Sequence, residues 1–215
     1  MGVSERRLRE KAALRSKILE AAGQLIVDEG LENVSIRRIA ERIEYSPSTI
    51  YLYFRDKGDL ISAICESVFL ELGSRLAEIE HRIDDPLESL RKGLRCYIDF
   101  GVEHRNHYLV TFGLPCDREV DSSTPEYKRM SACGGRAFDS LRRALKRCAE
   151  AGYFDPADIE ATGQAIWTQI HGMTSLLITS YGGPGFPWVE REKLINTGLD
   201  LILAGLVAER SVACG

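Results

Sequence analysis

The sequence predicts an all-α protein, in which a small N-terminal unit of three helices leads through one long helix into a larger helical domain. Three observations carry that reading. Apolar residues recur at three- and four-residue steps along nearly the whole chain. No stretch keeps the sustained alternation that marks a strand. The length of 215 residues and a hydrophobic share of 44% suit a small domain joined to a larger one with a substantial core.

Each element has local reasons. The first helix is expected over about Arg7 to Glu29, where Leu14, Ile18, Ala21, Ala22 and Leu25 share a face and Gly30 ends the helix at its C′ position. A second begins at the N-cap Ser35 and carries Ile36, Ile39, Ala40 and Ile43 in one stripe. Val34 and Ile39 flank that cap as a hydrophobic staple. Beyond Glu44-Tyr45, Ser46 as N-cap and Pro47 at the first helical position start a short third helix that ends near Phe54. Asp56, with Asp59 three residues on, caps a long fourth helix bearing Leu60, Ile64, Val68, Leu72, Leu76 and Ile79.

Asp84-Asp85-Pro86 then breaks the chain before a fifth helix that reaches about His104 and turns Leu87, Leu90, Leu94, Tyr97, Ile98 and Val102 inward. A short helix near Asn106 to Phe112 is expected to end at Gly113 and Pro115, with residues 116–125 as a loop. A helix from about Glu126 to Ala151 stops at Gly152; Asp155-Pro156 caps and starts the next, which runs to about Tyr181. Gly182 to Pro187 is a turn, and a last helix covers about Val189 to Ala208. Neither an internal repeat nor a low-complexity segment interrupts this order.

Charge and composition narrow the function. A net charge of −4 excludes a protein that coats nucleic acid by bulk charge, so any DNA contact has to come from a local basic surface. One such surface is residues 1–17, where Arg6, Arg7, Arg9, Lys11, Arg15 and Lys17 face Glu5 and Glu10 for a net of +4. It reads equally well as an arm for phosphates and as a solvated helix end. Met1 to Arg15 is charged and lacks the apolar core of a secretion signal, so a cytoplasmic protein is expected, on the nucleoid when bound to DNA. In that compartment Cys65, Cys96, Cys116, Cys133, Cys148 and Cys214, none in a C-x-x-C pair, read as small buried hydrophobes. Asn33-Val34-Ser35 is a chance glycosylation match.

Ala161 to Val189 contains no Asp, Glu, Lys or Arg. Its Thr162, Gln164, Thr168, Gln169, His171, Thr174 and Ser175 exclude a lipid-facing span and predict a helix covered on most sides by protein. No membrane contact is expected.

Helices two and three, joined by a tight turn, have the dimensions of a unit that reads DNA: the major groove admits one helix, and residues near its N-terminus reach base edges. The residues that carry this are Ser35-x-Arg37-Arg38-Ile39-Ala40 and Tyr45-Ser46-Pro47-Ser48-Thr49-Ile50-Tyr51-Leu52-Tyr53-Phe54-Arg55-Asp56-Lys57-x-x-Leu60. Over roughly residues 12–62 they resemble the helix-turn-helix of the TetR family of transcriptional regulators. The C-terminal half, through Phe100 to Phe112 and Trp167-x-x-x-His171-Gly172, is similar to the ligand domain named for its Trp-His-Gly signature.

The resemblance implies a DNA-binding domain over 1–58 and a ligand-binding and dimerisation domain over 59–215. It implies that Ser48 and Thr49 face bases, that Tyr51, Tyr53 and Lys57 bond phosphates, and that Arg37 and Arg38 lie near the groove edge, with Ser35, Ser46 and Pro47 completing the surface. Hydroxyls, phenols, cations and helix N-termini are the donors that phosphates need. Where the family often has glycine in the turn, this chain has Glu44, which is therefore expected at positive φ.

In the C-terminal half, Ile166, Ile170, Met173 and Leu177 on one helix, with Leu194, Leu199, Ile202, Leu203 and Leu206 on the last, form the stripes expected at a homodimer seam built from the last two helices. Gly172 either lets backbones approach there or is a tolerated mid-helix glycine. Tyr97, Phe100, His104, Tyr108, Phe112, Trp167 and His171 either line an effector pocket or simply fill the core, and His171 is a ligand contact or a satisfied core histidine. His104-x-x-His107 is half a metal site without a third ligand, so neither metal nor cofactor is expected. No G-x-S-x-G, P-loop, H-E-x-x-H or dinucleotide fingerprint points to an enzyme. The expected partners are double-stranded operator DNA with an inverted repeat and a small apolar or aromatic effector that releases the repressor.

Overall fold

A computed structural model describes residues 3–112, 123–155 and 158–212. Among the described residues there are nine α-helices, one 3-10 turn and no strand, the fold class that the periodicity predicts. They form two compact units. The first comprises residues 1–69 and 105–134, the second 70–104 and 135–215.

In the first unit, α1 (Val3–Glu29) ends at Gly30, whose φ of 81° suits only a residue without a side chain. The helix starts four residues earlier than the apolar pattern reaches, because its first turns are held by charge spacing such as Arg6–Glu10 at 3.0 Å rather than by burial. The 3-10 turn Leu31–Asn33 leads into α2 (Ile36–Ile43), and Ser35 caps it by accepting the Arg38 N–H. α3 is only Pro47–Tyr51, because the chain tightens into a turn over Leu52 and Tyr53 short of the expected Phe54. α4 (Lys57–Arg82) is capped by Asp56, whose carboxylate takes the Asp59 N–H at 2.8 Å. Its residues up to Phe69 belong to this unit, as do α6 (Arg105–Phe112) and the first turns of α7 (Pro125–Glu150). Ile18, Ala22, Ile39, Ile50, Leu60 and Ile64 form the fully buried centre of the core, and α6 inserts Val110 beside them.

α6 packs closely on α1. Gly23 permits this: a Cβ there would stand 2.6 Å from Cδ2 of His107. His107 Nε2 lies 3.2 Å from the Leu19 carbonyl, and Asn106 donates to Gln24 at 2.7 Å.

In the second unit, α5 (Pro86–Glu103) packs on α8 (Ile159–Thr179) and on α9 (Arg191–Val212). Asp85 caps α5, and its carboxyl is held below the usual carboxylate range by the Glu88 N–H and by the Tyr153 hydroxyl. Arg147 of α7 donates to the carbonyls of Glu80, Ile83 and Asp84, closing the C-terminal end of α4. Arg95 joins α5 to α9 through both carboxylate oxygens of Glu192.

Three expectations change here. α8 begins at Ile159 with Asp158 as its cap, not at Asp155-Pro156: the Asp158 carboxylate takes the Ala161 N–H at 3.0 Å, which Asp155 is too far along the chain to do. α9 starts at Arg191, where the Glu190 carboxylate accepts the Glu192 and Lys193 N–H groups. Most important, the apolar stripes read as a dimer seam are the chain's own core. Ile166, Ile170, Leu177, Leu199, Ile202 and Leu206 are buried within the unit, and the opposite faces are open. A periodic stripe marks the face that is buried first, and α5 already covers it.

The expected helix end at Gly113 and Pro115 and the loop 116–122 lie outside the described residues, as do Cys116, Cys214 and Pro156. Cys65, Cys133 and Cys148 are buried and Cys96 partly so, all as free thiols. Burial pushes the thiols of Cys65 and Cys96 up and that of Cys148 to about 11, away from the reactive thiolate.

Candidate functional site

α2, α3 and the turn between them present one continuous exposed surface. The turn is made by Glu44, at φ 63° and ψ 41°, the left-handed conformation expected at this non-glycine position. Its N–H and that of Tyr45 close the end of α2 on the carbonyls of Glu41 and Ala40. Lys17 of α1 donates to the Ile43 carbonyl and stands 5.4 Å from the Tyr45 ring.

Ser46 organises the start of α3. Its Oγ accepts the Thr49 N–H and lies 2.8 Å from Ser48 Oγ and 2.9 Å from Thr49 Oγ1. Pro47 follows at the first helical position. Ile50 and Phe54 are buried beneath, so Ser46, Pro47 and Ser48 are turned outward and Thr49 stays half-buried. Tyr51 is 56% exposed. Tyr53 is half-buried against the core, with Lys11 of α1 6.0 Å from its ring centre.

Three of the cations nearby, Arg37, Arg38 and Lys57, are engaged within the fold. Arg37 pairs with Glu41 at 3.0 Å; both are well exposed, and such a pair yields readily to a stronger anion. Arg38 binds Glu29 and the Asn33 carbonyl. Lys57 donates to the carbonyls of Leu31 and Val34, which ties the start of α4 to the approach to α2 and uses two of its three N–H groups. These internal bonds hold the surface in shape before any partner arrives.

Sequence reasoning passed over two residues of this surface. Tyr45 is 43% and Leu52 78% exposed, the latter the largest value among the described bulky apolar side chains. The signal was available: Leu52 is four residues from Ser48 and therefore on the same helical face.

The ligand candidates divide between the units. Tyr108 and Phe112 belong to the first, where Phe112 packs on Tyr108 at 4.8 Å and edge-on to Phe69 at 5.8 Å. Tyr97, Phe100, His104, Trp167 and His171 belong to the second. There the Tyr97 hydroxyl lies 3.1 Å from His171 Nδ1, and Trp167 lies 5.3 Å from the His171 ring and 6.5 Å from Phe138. Burial holds His171 below the usual histidine range, in favour of the neutral imidazole. Phe100 is buried between the His104 ring at 4.6 Å and the Arg75 guanidinium at 5.1 Å, and Arg75 in turn binds Glu71 and Glu103. The His104/His107 pair is thus split between different surroundings, and among the described residues no group of three metal-ligating side chains gathers. No described helix is long and apolar enough to cross a membrane.

Comparison with known proteins bears on both units. A family model described as bacterial regulatory proteins, tetR family, matches residues 18–64, and one described as tetracyclin repressor-like, C-terminal domain, matches residues 90–196. The chain is similar to the HTH-type transcriptional regulator AcrR of Shigella flexneri, 28% identical over 160 residues that cover 73% of this chain and 74% of the other. It is 27% identical over 211 residues to the probable HTH-type transcriptional regulator ArpR of Pseudomonas putida, covering 92% and 95% of the two chains. In fold it is similar to the transcriptional regulator FadR from Bacillus subtilis in complex with stearoyl-CoA, with a TM-score of 0.73 at 19% identity over 88% of this chain and 98% of that one.

Proposed function

The chain belongs to the TetR family of bacterial regulatory proteins, and we propose that it acts as a homodimeric repressor that leaves an inverted-repeat operator when an apolar or aromatic effector binds. The family consists of ligand-responsive, DNA-binding transcriptional regulators, so the chain is a regulator and not an enzyme. Its place is the cytoplasm, on the nucleoid when bound to DNA.

The observation that carries this reading is the outward α2–α3 surface over a rigid core. Ser48 and Thr49 face bases from the start of α3. Ser35, Ser46, Pro47, Tyr51 and Tyr53 meet phosphates and sugar, with the third N–H of Lys57 and with Arg37 once it leaves Glu41. Arg38, tied to Glu29, positions the first turn of α2. On this reading residues 1–58 bind DNA and 59–215 bind ligand and partner.

Support for the dimer seam comes from the open faces of the last two helices. On α8, Ala165, Thr168, Gly172 and Leu176 are exposed without a charge among them; on α9, Leu201, Ala204 and Gly205 are. Leu176 is 51% and Leu201 69% exposed, and a Cβ at Gly172 would meet open space. A charge-free exposed face is what a two-fold contact with a second copy would cover.

For the effector, Tyr97, Trp167 and His171 offer apolar rings with polar tips, Phe100 and His104 extend that set, and Tyr108 and Phe112 are candidates from the first unit. The stearoyl-CoA bound to FadR of Bacillus subtilis is in keeping with an apolar ligand for a fold of this kind. α4 is continuous from the first unit into the second and is the element through which the effector is proposed to act.

The test is selection from a random duplex pool by the full-length protein. The expected winners are inverted repeats whose half-site centres lie about 34–36 Å apart, one helical turn, or a multiple of it. Enrichment of a single non-repeated site, bound by a monomer, would overturn the proposal.

A further inference from the structure

We infer that this chain recognises its operator chiefly by apolar contact with thymine 5-methyl groups in the major groove, and that Leu52 makes the deciding contact. The inference rests on the DNA-binding reading above and names what that surface selects.

The strongest base-reading side chains are absent from α3. Guanine is usually read by the paired donors of Arg or Lys, adenine by Asn or Gln, and cytosine by an acidic acceptor. From Tyr45 to Phe54 the chain has no charged residue and no amide. What stands there is three hydroxyls, three phenols and apolar carbon. The hydroxyls are largely occupied with one another, since Ser46 Oγ is within hydrogen-bond distance of both Ser48 Oγ and Thr49 Oγ1. A hydroxyl has a single hydrogen to donate, so two of the three are used inside the protein. Polar readout by this surface is weak.

Leu52 supplies the alternative. A lone exposed leucine on a protein surface calls for no explanation. This one stands four residues after Ser48 and three after Thr49, on the face that the start of α3 offers to a groove. Helical side chains lean toward the N-terminus, which brings the Leu52 isobutyl group over the turn holding those hydroxyls. It continues in αR geometry at φ −71° and ψ −15° as the C-cap. The helix cannot roll to hide it, because Ile50 and Phe54 are locked in the core at 0% and 2% exposure. Among the four bases only thymine carries an apolar group on its major-groove edge. An apolar side chain at 78% exposure, at the C-terminal end of the face that carries those hydroxyls, therefore has one complementary partner in the groove.

The experiment uses the full-length protein and the duplex it enriches from a random pool. Each thymine of that duplex is replaced in turn by deoxyuridine, which removes the 5-methyl and leaves base pairing and every polar group in place. At one or two positions per half-site, binding is expected to weaken about fourfold, the equivalent of about 0.8 kcal/mol for one buried carbon group. Leu52→Ala is expected to weaken binding to the thymine duplex by at least that factor and to be indifferent to deoxyuridine at the same positions. Circular dichroism checks that the variant keeps its helix content. Equal binding of all deoxyuridine duplexes overturns the inference and leaves the DNA-binding reading standing, as does a Leu52→Ala variant that keeps the full thymine sensitivity. Failure to enrich any duplex overturns both.

Discussion

Along α2 and α3 the solvent-facing residues include hydroxyls, phenols and cations, several of them braced by a bond to the fold: Ser46 to the Thr49 N–H, Arg38 to Glu29, Lys57 to two carbonyls. Along one face of α8, beyond its first turn, Ala165, Thr168, Gly172 and Leu176 are exposed, with threonine hydroxyls turned back to their own helix, as in Thr168 to the Ala165 carbonyl. The first surface presents donors that are held still, which suits a polar and anionic partner whose geometry is given in advance. The second presents small and apolar groups without charge, which suits a copy of itself. The difference teaches that exposed groups indicate a partner by what supports them. Polar side chains need a scaffold to keep their directions, whereas an apolar face needs only the absence of charge.

Three outcomes would break or sharpen this comparison. The largest effect is expected from Ile50→Ala in the first unit. Ile50 is fully buried beneath the α2–α3 surface, and truncation there removes about 2–5 kcal/mol of stability. Denaturant unfolding measures the loss, and DNA binding should fall with it because α3 loses its anchor. The matched change in the second unit, Leu176→Ala on an exposed face, should leave the unfolding of dilute monomer within about 0.5 kcal/mol of the parent. Equal losses at the two positions would show that Leu176 is not surface in the folded monomer.

Next comes Gly172→Leu. A Cβ at this position meets nothing within its own chain, so helix content and monomer folding should be retained. A bulky side chain forced into a close helix crossing weakens dimerisation by about 1–3 kcal/mol. Sedimentation over a concentration series reads the shift. An unchanged dimer constant would remove Gly172 from the seam and send the search to Leu201 on α9.

The smallest effect is a pH dependence in the second unit. Burial lowers the His171 pKa, so the unfolded chain binds a proton there that the native one does not. Stability therefore rises with pH through that interval. It is complete above the unfolded value of about 6.5 and is lost as pH falls below it, by at most about 1.4 kcal/mol per pH unit. Comparing parent and His171→Gln unfolding between pH 7.5 and 5.5 isolates the contribution. The parent should lose more stability than the variant on acidification, and parallel curves would place His171 in a solvated site.

The head of this protein could be read in advance because its determinants are local. Ser35 and Ser46 each stand three residues before the N–H they accept, Pro47 presets the first turn of α3, and Ile36, Ile39 and Ile43 repeat at helical spacing. Interactions of that range are written in consecutive residues, so cap and stripe follow from composition and order, while the left-handed turn at Glu44 is what the family resemblance implies. The same reasoning misplaced the cap of α8, where Asp155 and Asp158 both stand before the helix and Asp158, three residues before Ala161, accepts its N–H.

The sequence by itself determined the helical class, the short third helix with hydroxyls at its start, and the absence of charge along α8 beyond Glu160. Tertiary structure alone decided which face of α8 is buried, since Ile170 and Leu176 are equally apolar, yet Ile170 is buried and Leu176 half exposed. It also decided that Lys57 and Arg38 are tied into the fold, that Tyr97 meets His171 across 74 residues of chain, and that Leu52 is left outside. The physical reason is the same in each case. Periodicity reports that a side chain prefers burial or solvent, but partners distant in the chain determine whether that preference is met.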